Sequence, residues 1–234
     1  MNTQVRLLMS GGFYPACQEL VPQFENATGI TVTTAVGPSQ GDGPDTVGAQ
    51  LRRGVAADLV ILSREGLAEL FAEGRIVIGS DVDLAEAPLG VGVRAGAPRL
   101  NIGTVNAFKE ALVRAKSVGI RSGSGIYLTT KLFPNLGIAA AMAGKLVITS
   151  AERVASGEVE MAVLPASEIL SVPGVEFVGM IPAEIQFVPV FTAALVKEGK
   201  EPQASKQLIA FLASEKATTA IEKTGMKRPA PRQP

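Results

Sequence analysis

The sequence contains no histidine and no tryptophan, and its 234 residues include a single cysteine, Cys17. Without histidine, the chain lacks the usual general base and the commonest ligand of transition metals. One thiol cannot form an internal disulfide or a cysteine-based zinc site, and neither a Ser-His-Asp nor a Cys-His catalytic arrangement can be assembled. Cys17 falls in a helical pattern and is interpreted as a buried structural thiol. We expect neither a bound metal nor a cofactor.

The chain also lacks an excess of either charge, because 22 Lys and Arg residues balance 22 Asp and Glu residues. With no basic, aromatic-rich segment, binding to nucleic acid or to an anionic membrane is not expected. No apolar run reaches the length of a membrane-spanning helix, so membrane insertion is not expected either. A strand pattern begins at Gln4 with no secretory signal before it. We therefore expect a cytoplasmic location, or a periplasmic one if a leader has been removed.

What the sequence does contain is an alternation of short apolar runs with helical patterns. Strands are predicted at residues 5–9, 30–35, 58–62, 88–93, 117–121, 145–149, 159–164 and 175–178, with an extended run at 185–196. Helices are predicted between most of them, though not between 159–164 and 175–178, and also at 202–213 and 214–224. This spacing is typical of βαβ units, in which helices cover a parallel sheet. The tail from Met226 to Pro234 is expected to fray.

The pattern predicts an α/β protein with two lobes. The segments 47–62 and 150–164 form a weak internal repeat, each reading as a helix, a glycine and an apolar strand. We predict a discontinuous first lobe of residues 1–86 plus 188–234 and a second lobe of residues 87–187. Hinge strands near 87–94 and 185–196 would join them. Ligands of open α/β sheets bind beyond the carboxyl ends of the strands, so the strand-end loops are predicted to line a cleft.

Three loops rich in serine and glycine follow predicted strands and precede predicted helices. The first is Ser10-Gly11-Gly12-Phe13, the second runs from Gly37 to Gly43 and contains Ser39 and Gln40, and the third is Ser122-Gly123-Ser124-Gly125. A helix N-terminus collects unpaired N–H groups and partial positive charge, so each loop suits an anion or a polar ligand. The alternative interpretation is that they are ordinary strand-to-helix connections.

These stretches, together with LRRGVAADLVILSREGLAELFAEGRIV and LIAFLASEKATTAIEKTGM, resemble the type II periplasmic solute-binding proteins, specifically the molybdate-binding branch. The resemblance covers almost the whole chain. It implies two α/β lobes that close on a ligand by hinge motion, and a transporter of the ABC type as partner. It also implies a tetrahedral oxyanion held by uncharged donors. The matching positions are Ser10, Ser39 and the segment from Gly123 to Tyr127.

Some positions depart from the family pattern. Pro165 stands in a segment, 163–168, where the family usually carries a tyrosine ligand, and this segment also supplies Ser167 and Glu168. Phe13 replaces a small residue of the first loop and would put an aromatic side chain near the ligand. Arg121 could pair with a ligand carboxylate through its planar guanidinium, or could equally be a surface arginine at a strand end.

Three functions remain open. The first is a solute-binding protein for a small anion or organic acid, with hydroxyl donors from Ser10, Ser39, Ser122, Ser124 and Tyr127. The second is a cytoplasmic enzyme of the isomerase or tautomerase type acting on a small organic acid in the same cleft. Because histidine is absent, acid–base work would then fall to Tyr127, Glu168 or a carboxylate such as Asp42. The third is a sensor that signals ligand binding to a partner protein.

Overall fold

The computed structural model describes residues 3–230. The chain divides into two units. Unit 1 consists of Met1–Glu86 and Val190–Pro234, and unit 2 consists of Ala87–Pro189. The chain therefore leaves unit 1 once, completes unit 2 as one continuous stretch, and returns.

Strands and helices alternate through most of the described residues. The strands are β1 (Gln4–Ser10), β2 (Thr31–Gly37), β3 (Leu59–Ser63), β4 (Val82–Glu86), β5 (Leu89–Arg94), β6 (Val118–Ile120), β7 (Leu146–Ile148), β8 (Met161–Pro165), β9 (Val175–Met180) and β10 (Val190–Leu195). The helices are α1 (Tyr14–Thr28), α2 (Val47–Arg52), α3 (Arg64–Ala72), α4 (Val105–Arg114), α5 (Ser122–Tyr127), α6 (Phe133–Asn135), α7 (Ala139–Met142), α8 (Glu152–Ala155), α9 (Ala166–Leu170), α10 (Pro202–Ala213) and α11 (Thr218–Lys223). A π-helical stretch, Leu128–Leu132, joins α5 to α6.

Each unit contains one five-stranded sheet. The strand order is β2-β1-β3-β10-β4 in unit 1 and β7-β6-β8-β5-β9 in unit 2. The central strands β3 and β8 are buried along their whole length, which explains why both read as continuous apolar runs. The predicted α/β class is confirmed, and among residues 3–230 no helix is both long and apolar enough to span a membrane.

Both sheets are mixed, so the expectation of parallel sheets was wrong in part. In unit 1, β1 is parallel to β2 and β3, whereas β10 is antiparallel to β3 and β4. In unit 2, β6 is parallel to β7 and β8, whereas β5 is antiparallel to β8 and β9. Strand β4 was not predicted at all, since its sequence VDLAE is too polar to read as an apolar run.

Helix boundaries follow local signals with one exception. Helix α1 has proline in its first turn and ends at Gly29, whose φ of 72° is in the left-handed region that favours glycine. Thr46 and Thr104 cap α2 and α4 by accepting hydrogen bonds from Ala49 and Ala107. The exception is Ser122–Gly125, predicted as a loop, which forms the first turn of α5. The tertiary context overrides the low helix propensity of this Ser/Gly segment.

The end of the described chain is docked on unit 1, so the prediction that the tail frays from Met226 was wrong for these residues. Met226 is buried, and the backbones of Lys227 and Glu86 exchange two hydrogen bonds of 2.9 and 2.8 Å. The Arg228 Nη1 donates to the carbonyl oxygens of Leu84 and Leu212 at 2.9 and 3.0 Å. Residues 231–234 lie outside the described residues.

Two buried groups in unit 1 have a structural role. Cys17 is buried in α1, and desolvation raises the pKa of its thiol to about 12, which confirms the interpretation as an inert core residue. Asp58, just before β3, is fully buried and accepts hydrogen bonds from the Arg6 backbone, Nε and Nη2 at 2.9, 2.9 and 2.7 Å. It also accepts one of 2.7 Å from the backbone of Lys200. This one carboxylate therefore joins β1, β3 and the segment before α10.

The Asp58 carboxylate should make stability depend on pH. Burial by itself would raise its pKa, but the hydrogen bonds from Arg6 and Lys200 outweigh burial and lower the pKa from 3.8 to about 2. Because the folded pKa lies below the unfolded one, the carboxylate stabilises the fold above about pH 4. That contribution, about 2.5 kcal/mol, is lost as the pH falls from 4 towards 2.

We expect Asp58→Asn to lower the free energy of unfolding at pH 7 by about 3 kcal/mol, because Arg6 loses its buried partner. The variant should also lose much of the decline in stability between pH 4 and pH 2. Urea unfolding followed by circular dichroism at several pH values measures both effects. Asp45→Asn, at an exposed position, is the control. A pH dependence identical to that of the unmodified protein would contradict this role of Asp58.

Candidate functional site

The first predicted loop lies at the end of β1. Ser10 is the last residue of the strand and is 7% exposed. Gly11 and Gly12 form the turn into α1, in which the N–H of Phe13 donates to the Ser10 carbonyl at 3.2 Å. The Phe13 side chain is fully buried, with its ring centroid 6.1 Å from that of Phe191. The expectation that Phe13 presents an aromatic ring to a ligand is therefore corrected: it belongs to the core of unit 1.

The second predicted loop is held against the start of α3. The hydroxyl of Ser39 accepts a hydrogen bond of 3.0 Å from the N–H of Ser63, and the Ser63 hydroxyl in turn caps α3 by accepting from Gly66 at 3.3 Å. A Cβ at position 66 would overlap the Ser39 carbonyl oxygen, so the loop can approach this closely only because residue 66 is glycine. Gln40 donates from Nε2 to Glu69 on α3 at 2.8 Å.

Ser63 is a residue of this site that the sequence analysis did not include. Because β1 and β3 are parallel neighbours, with Met9 opposite Ile61, Ser10 and Ser63 both end at the same edge of the unit 1 sheet. The signal that could have identified Ser63 is its position between an apolar strand and the helix α3, where serine is a favoured N-cap. Asp42, considered earlier as an acid–base group, lies exposed on the same loop as Ser39.

In unit 2, residues distant in sequence meet at the carboxyl edge of the sheet. Ile120 of β6 lies opposite Val163 of β8 and Ile148 of β7, so the segments that follow these three parallel strands are neighbours. They carry Arg121 after β6, Ser150 after β7, and Ser167 with Glu168 after β8. This edge brings together most of the residues that were predicted for the second lobe.

An ion pair dominates this edge. Arg121 donates from Nε to Oε2 of Glu168, 47 residues away. The Arg121 side chain is 33% exposed and that of Glu168 is 8% exposed. Arg121 is therefore not the isolated surface arginine of the alternative interpretation, since its guanidinium is oriented by a buried carboxylate. Its use by a ligand carboxylate stays a prediction, and it would have to involve the Nη groups.

Burial raises the pKa of the Glu168 carboxyl above its usual range. The positive charge and hydrogen bond of Arg121 oppose that rise, and the nearby negative charge of Glu152 adds to it. Glu152 itself accepts a hydrogen bond from Ser150, which together with its backbone contact lowers its pKa. The pKa values of the Glu168 and Glu152 carboxyl groups are thus shifted in opposite directions, which is a pattern typical of functional sites.

Three serine hydroxyls in the helices that follow β6 and β8 are buried and have no hydrogen-bond partner among residues 3–230. They belong to Ser122, Ser124 and Ser167. Ser167 is completely buried and Ser124 is 7% exposed. A fourth such hydroxyl, that of Ser205, lies in α10 of unit 1. Buried polar groups nearly always have a partner, so three unsatisfied donors at one sheet edge indicate a place for a polar ligand.

Tyr127 lies on α5 but does not present its hydroxyl in the predicted way. The hydroxyl donates to the carbonyl of Ile185 at 3.1 Å, and the ring is stacked on Phe187 with centroids 4.7 Å apart. Desolvation raises its pKa. The role of Tyr127 as a donor to a ligand, or as a proton-transfer group, stays a prediction, and it would require the hydroxyl to leave its bond to Ile185. Gly123 and Gly125 lie in the same helix, and Gly125 packs against Ile120.

The chain matches a family of known proteins and a curated relative over almost its whole length. The family described as bacterial extracellular solute-binding protein matches residues 5–227. A curated protein named aconitate isomerase, from a Pseudomonas species, is 36% identical over 237 residues, which span 99% of this chain and 90% of that protein. This similarity therefore extends through both units.

Solved structures show the same fold. The periplasmic molybdate-binding protein of Azotobacter vinelandii gives a TM-score of 0.77 at 19% identity, over 97% of this chain and all of that one (100%). The sulfate-binding protein SubI of Mycobacterium tuberculosis gives a TM-score of 0.74 at 18% identity, over 97% of this chain and 87% of that one. At such low identity, these likenesses concern the fold alone.

The unsatisfied hydroxyls lead to a prediction about stability. Ser167→Ala removes no side-chain hydrogen bond to any of residues 3–230, so we expect the free energy of unfolding to stay the same or to rise by about 1 kcal/mol. Ser63→Ala, the matched comparison, removes the cap of α3 and should cost about 1 kcal/mol. Urea unfolding of both variants is the measurement. An equal loss in the two variants would mean that Ser167 has a partner within the protein.

Proposed function

The chain belongs to the bacterial extracellular solute-binding protein family, and from that premise we propose that it is an isomerase acting on aconitate or a closely related unsaturated tricarboxylate. The observation that carries the proposal is the 36% identity with aconitate isomerase over 99% of this chain. The predicted resemblance to type II solute-binding proteins of the molybdate-binding kind is confirmed for the fold. A fold does not determine function, so turnover is inferred from the relative and from the site.

The carboxyl edge of the unit 2 sheet suits a carboxylate ligand. Arg121 supplies a positive charge that is partly exposed, and the three unsatisfied hydroxyls of Ser122, Ser124 and Ser167 supply donors with no competing partner among residues 3–230. Charge-assisted hydrogen bonds from a guanidinium to a carboxylate are among the strongest that proteins make. A substrate with several carboxylates could use the arginine and the hydroxyls together.

The proposed reaction requires only a proton to move. In aconitate, a methylene carbon and a carbon–carbon double bond are adjacent, and each bears a carboxylate. Removal of a methylene proton gives a delocalised anion in which the original double bond is no longer localised. Return of the proton at the far carbon leaves the double bond on the other side, in the cis or trans arrangement. Such proton transfer needs one side chain with an appropriate pKa and no redox partner.

A second candidate is binding of a small anion without turnover, since the family is described as one of solute-binding proteins. The observation that favours it is that three of the four unsatisfied buried hydroxyls lie at one sheet edge, because uncharged donors suit a tetrahedral oxyanion as well as a carboxylate. In that case a transporter permease would be the partner of the loaded protein.

One experiment separates the two candidates. The purified protein is incubated with cis-aconitate and, separately, with trans-aconitate, and both isomers are followed by proton NMR against samples without protein. We expect the two reactions to converge on the same ratio of isomers. If neither isomer is converted, the proposed isomerase activity is contradicted.

Thermal unfolding in the presence of aconitate, molybdate, tungstate or sulfate completes the test. A ligand at about 100 times its dissociation constant should stabilise the fold by about 2.7 kcal/mol, which raises the melting temperature by a few degrees. Stabilisation by aconitate with turnover supports the isomerase. Stabilisation by an oxyanion alone, with no conversion of aconitate, supports the second candidate instead.

A further inference from the structure

We propose that Glu168 is the catalytic residue that carries the proton between the two substrate carbons, and that Arg121 is the positioning residue that holds its carboxylate. This assignment rests on the isomerase function proposed above. It concerns which side chain of this chain performs the proton transfer, a question that the family relationship does not answer. The candidates are the ionisable side chains near the carboxyl edge of the unit 2 sheet, Tyr127, Glu152 and Glu168.

Two of the candidates are poorly suited to the task. The Tyr127 hydroxyl donates to the Ile185 carbonyl, and its ring is stacked on Phe187, so its proton would have to leave an existing hydrogen bond. Glu152 is exposed and hydrogen-bonded to Ser150, and these bonds lower its pKa and make it a weaker base. Since the chain has no histidine, Glu168 is the remaining base at this edge.

The geometry of Glu168 leaves one oxygen available. Arg121 binds Oε2 through its Nε, while Oε1 accepts no hydrogen bond from any of residues 3–230. The Glu168 side chain is 8% exposed to solvent. Ser167, the preceding residue of the same helix, has a buried hydroxyl that also lacks a partner within the described chain. The carboxylate is thus fixed by one oxygen and can act with the other.

The electrostatic environment suits a base that must both take and return a proton. Burial raises the proton affinity of Glu168, whereas the charge and hydrogen bond of Arg121 oppose that rise and favour the ionised carboxylate. When a negatively charged substrate approaches Arg121, it partly neutralises the guanidinium and raises the proton affinity of Glu168 further. The carboxylate therefore becomes a stronger base when the substrate is in place, and the acid that results is still able to give the proton back.

The step is balanced in atoms and electrons. The Glu168 carboxylate removes a proton from the methylene carbon, and the electron pair of that C–H bond forms the new carbon–carbon double bond. The pair of the old double bond moves onto its far carbon and the attached carboxylate. Protonated Glu168 then delivers the same proton to that far carbon, and the residue returns to its ionised form. Nothing is oxidised or reduced, and no co-reactant is consumed.

The decisive experiment compares Glu168→Gln with the unmodified full-length chain. We expect kcat for aconitate isomerisation to fall by about 10³-fold, in the range that general acid–base catalysis contributes. Stabilisation by aconitate in thermal unfolding should be retained, because glutamine keeps the size of the side chain. Glu176→Gln, at an exposed position of β9 in the same unit, is the matched control and should keep full activity.

The possible outcomes distinguish the two proposals. If the unmodified protein converts neither isomer, the isomerase function is overturned and the assignment of Glu168 with it. If the unmodified protein is active and Glu168→Gln retains at least a tenth of its kcat, only the assignment is overturned. If Glu168→Gln does not fold, Glu168→Asp replaces it. That variant keeps the charge but shortens the reach, and it should lower kcat much more than it changes KM.

A pH profile tests the positioning role of Arg121. In Arg121→Gln the positive charge that favours ionised Glu168 is lost, while Glu152 still raises the pKa of Glu168. The acid limb of the profile of kcat/KM should therefore move to higher pH, and Arg121→Lys should move it less. A loss of activity with an unmoved acid limb in Arg121→Gln would show that Arg121 does not act through Glu168, and would overturn its assigned role.

Discussion

Parallel pairing of strands is the constraint on which the grouping of candidate residues in each unit depends. Where β6, β7 and β8 run side by side, the residues that follow them must lie at one edge of the sheet, whatever their separation in sequence. The same holds for β1 and β3 in unit 1. The sheet thus gathers serines, an arginine and a glutamate from several loops, and the helices that begin there limit their exposure. Packing of the strands decides which side chains can act together.

The features that could be predicted from the sequence are those that a local pattern of residues determines. Buried strands such as β3 and β8 are runs of apolar residues, and the strand-end serines of both units stand out beside glycine. The direction of a strand leaves no such pattern in the sequence. The extended run that contains β10 was predicted, but its antiparallel pairing with β3 was not. The pairing of Arg121 with Glu168 was also out of reach, because it joins residues 47 positions apart through an arrangement that only the folded sheet creates.

Within one fold, a change from uncharged donors to a buried ion pair changes what a site can do. Hydroxyl groups bind an anion without altering its protons, whereas a carboxylate of raised proton affinity can take a proton from a bound molecule. The unit 2 edge contains both kinds of group, with the unsatisfied serines next to Arg121 and Glu168. In the proposed isomerase, binding and proton transfer would be separate properties of different residues, which substitutions could remove one at a time.

The position of β10 between β3 and β4 also determines the order in which the chain can fold while it is being synthesised. Unit 2 is one uninterrupted stretch, so all its strands leave the ribosome before β10 does. The sheet of unit 1 contains the first strands of the chain, but β3 and β4 have no strand between them until β10 has been synthesised. The usual order, in which the N-terminal part of a chain is completed first, is reversed. Until then, the edges of β3 and β4 that pair with β10 have no partner strand.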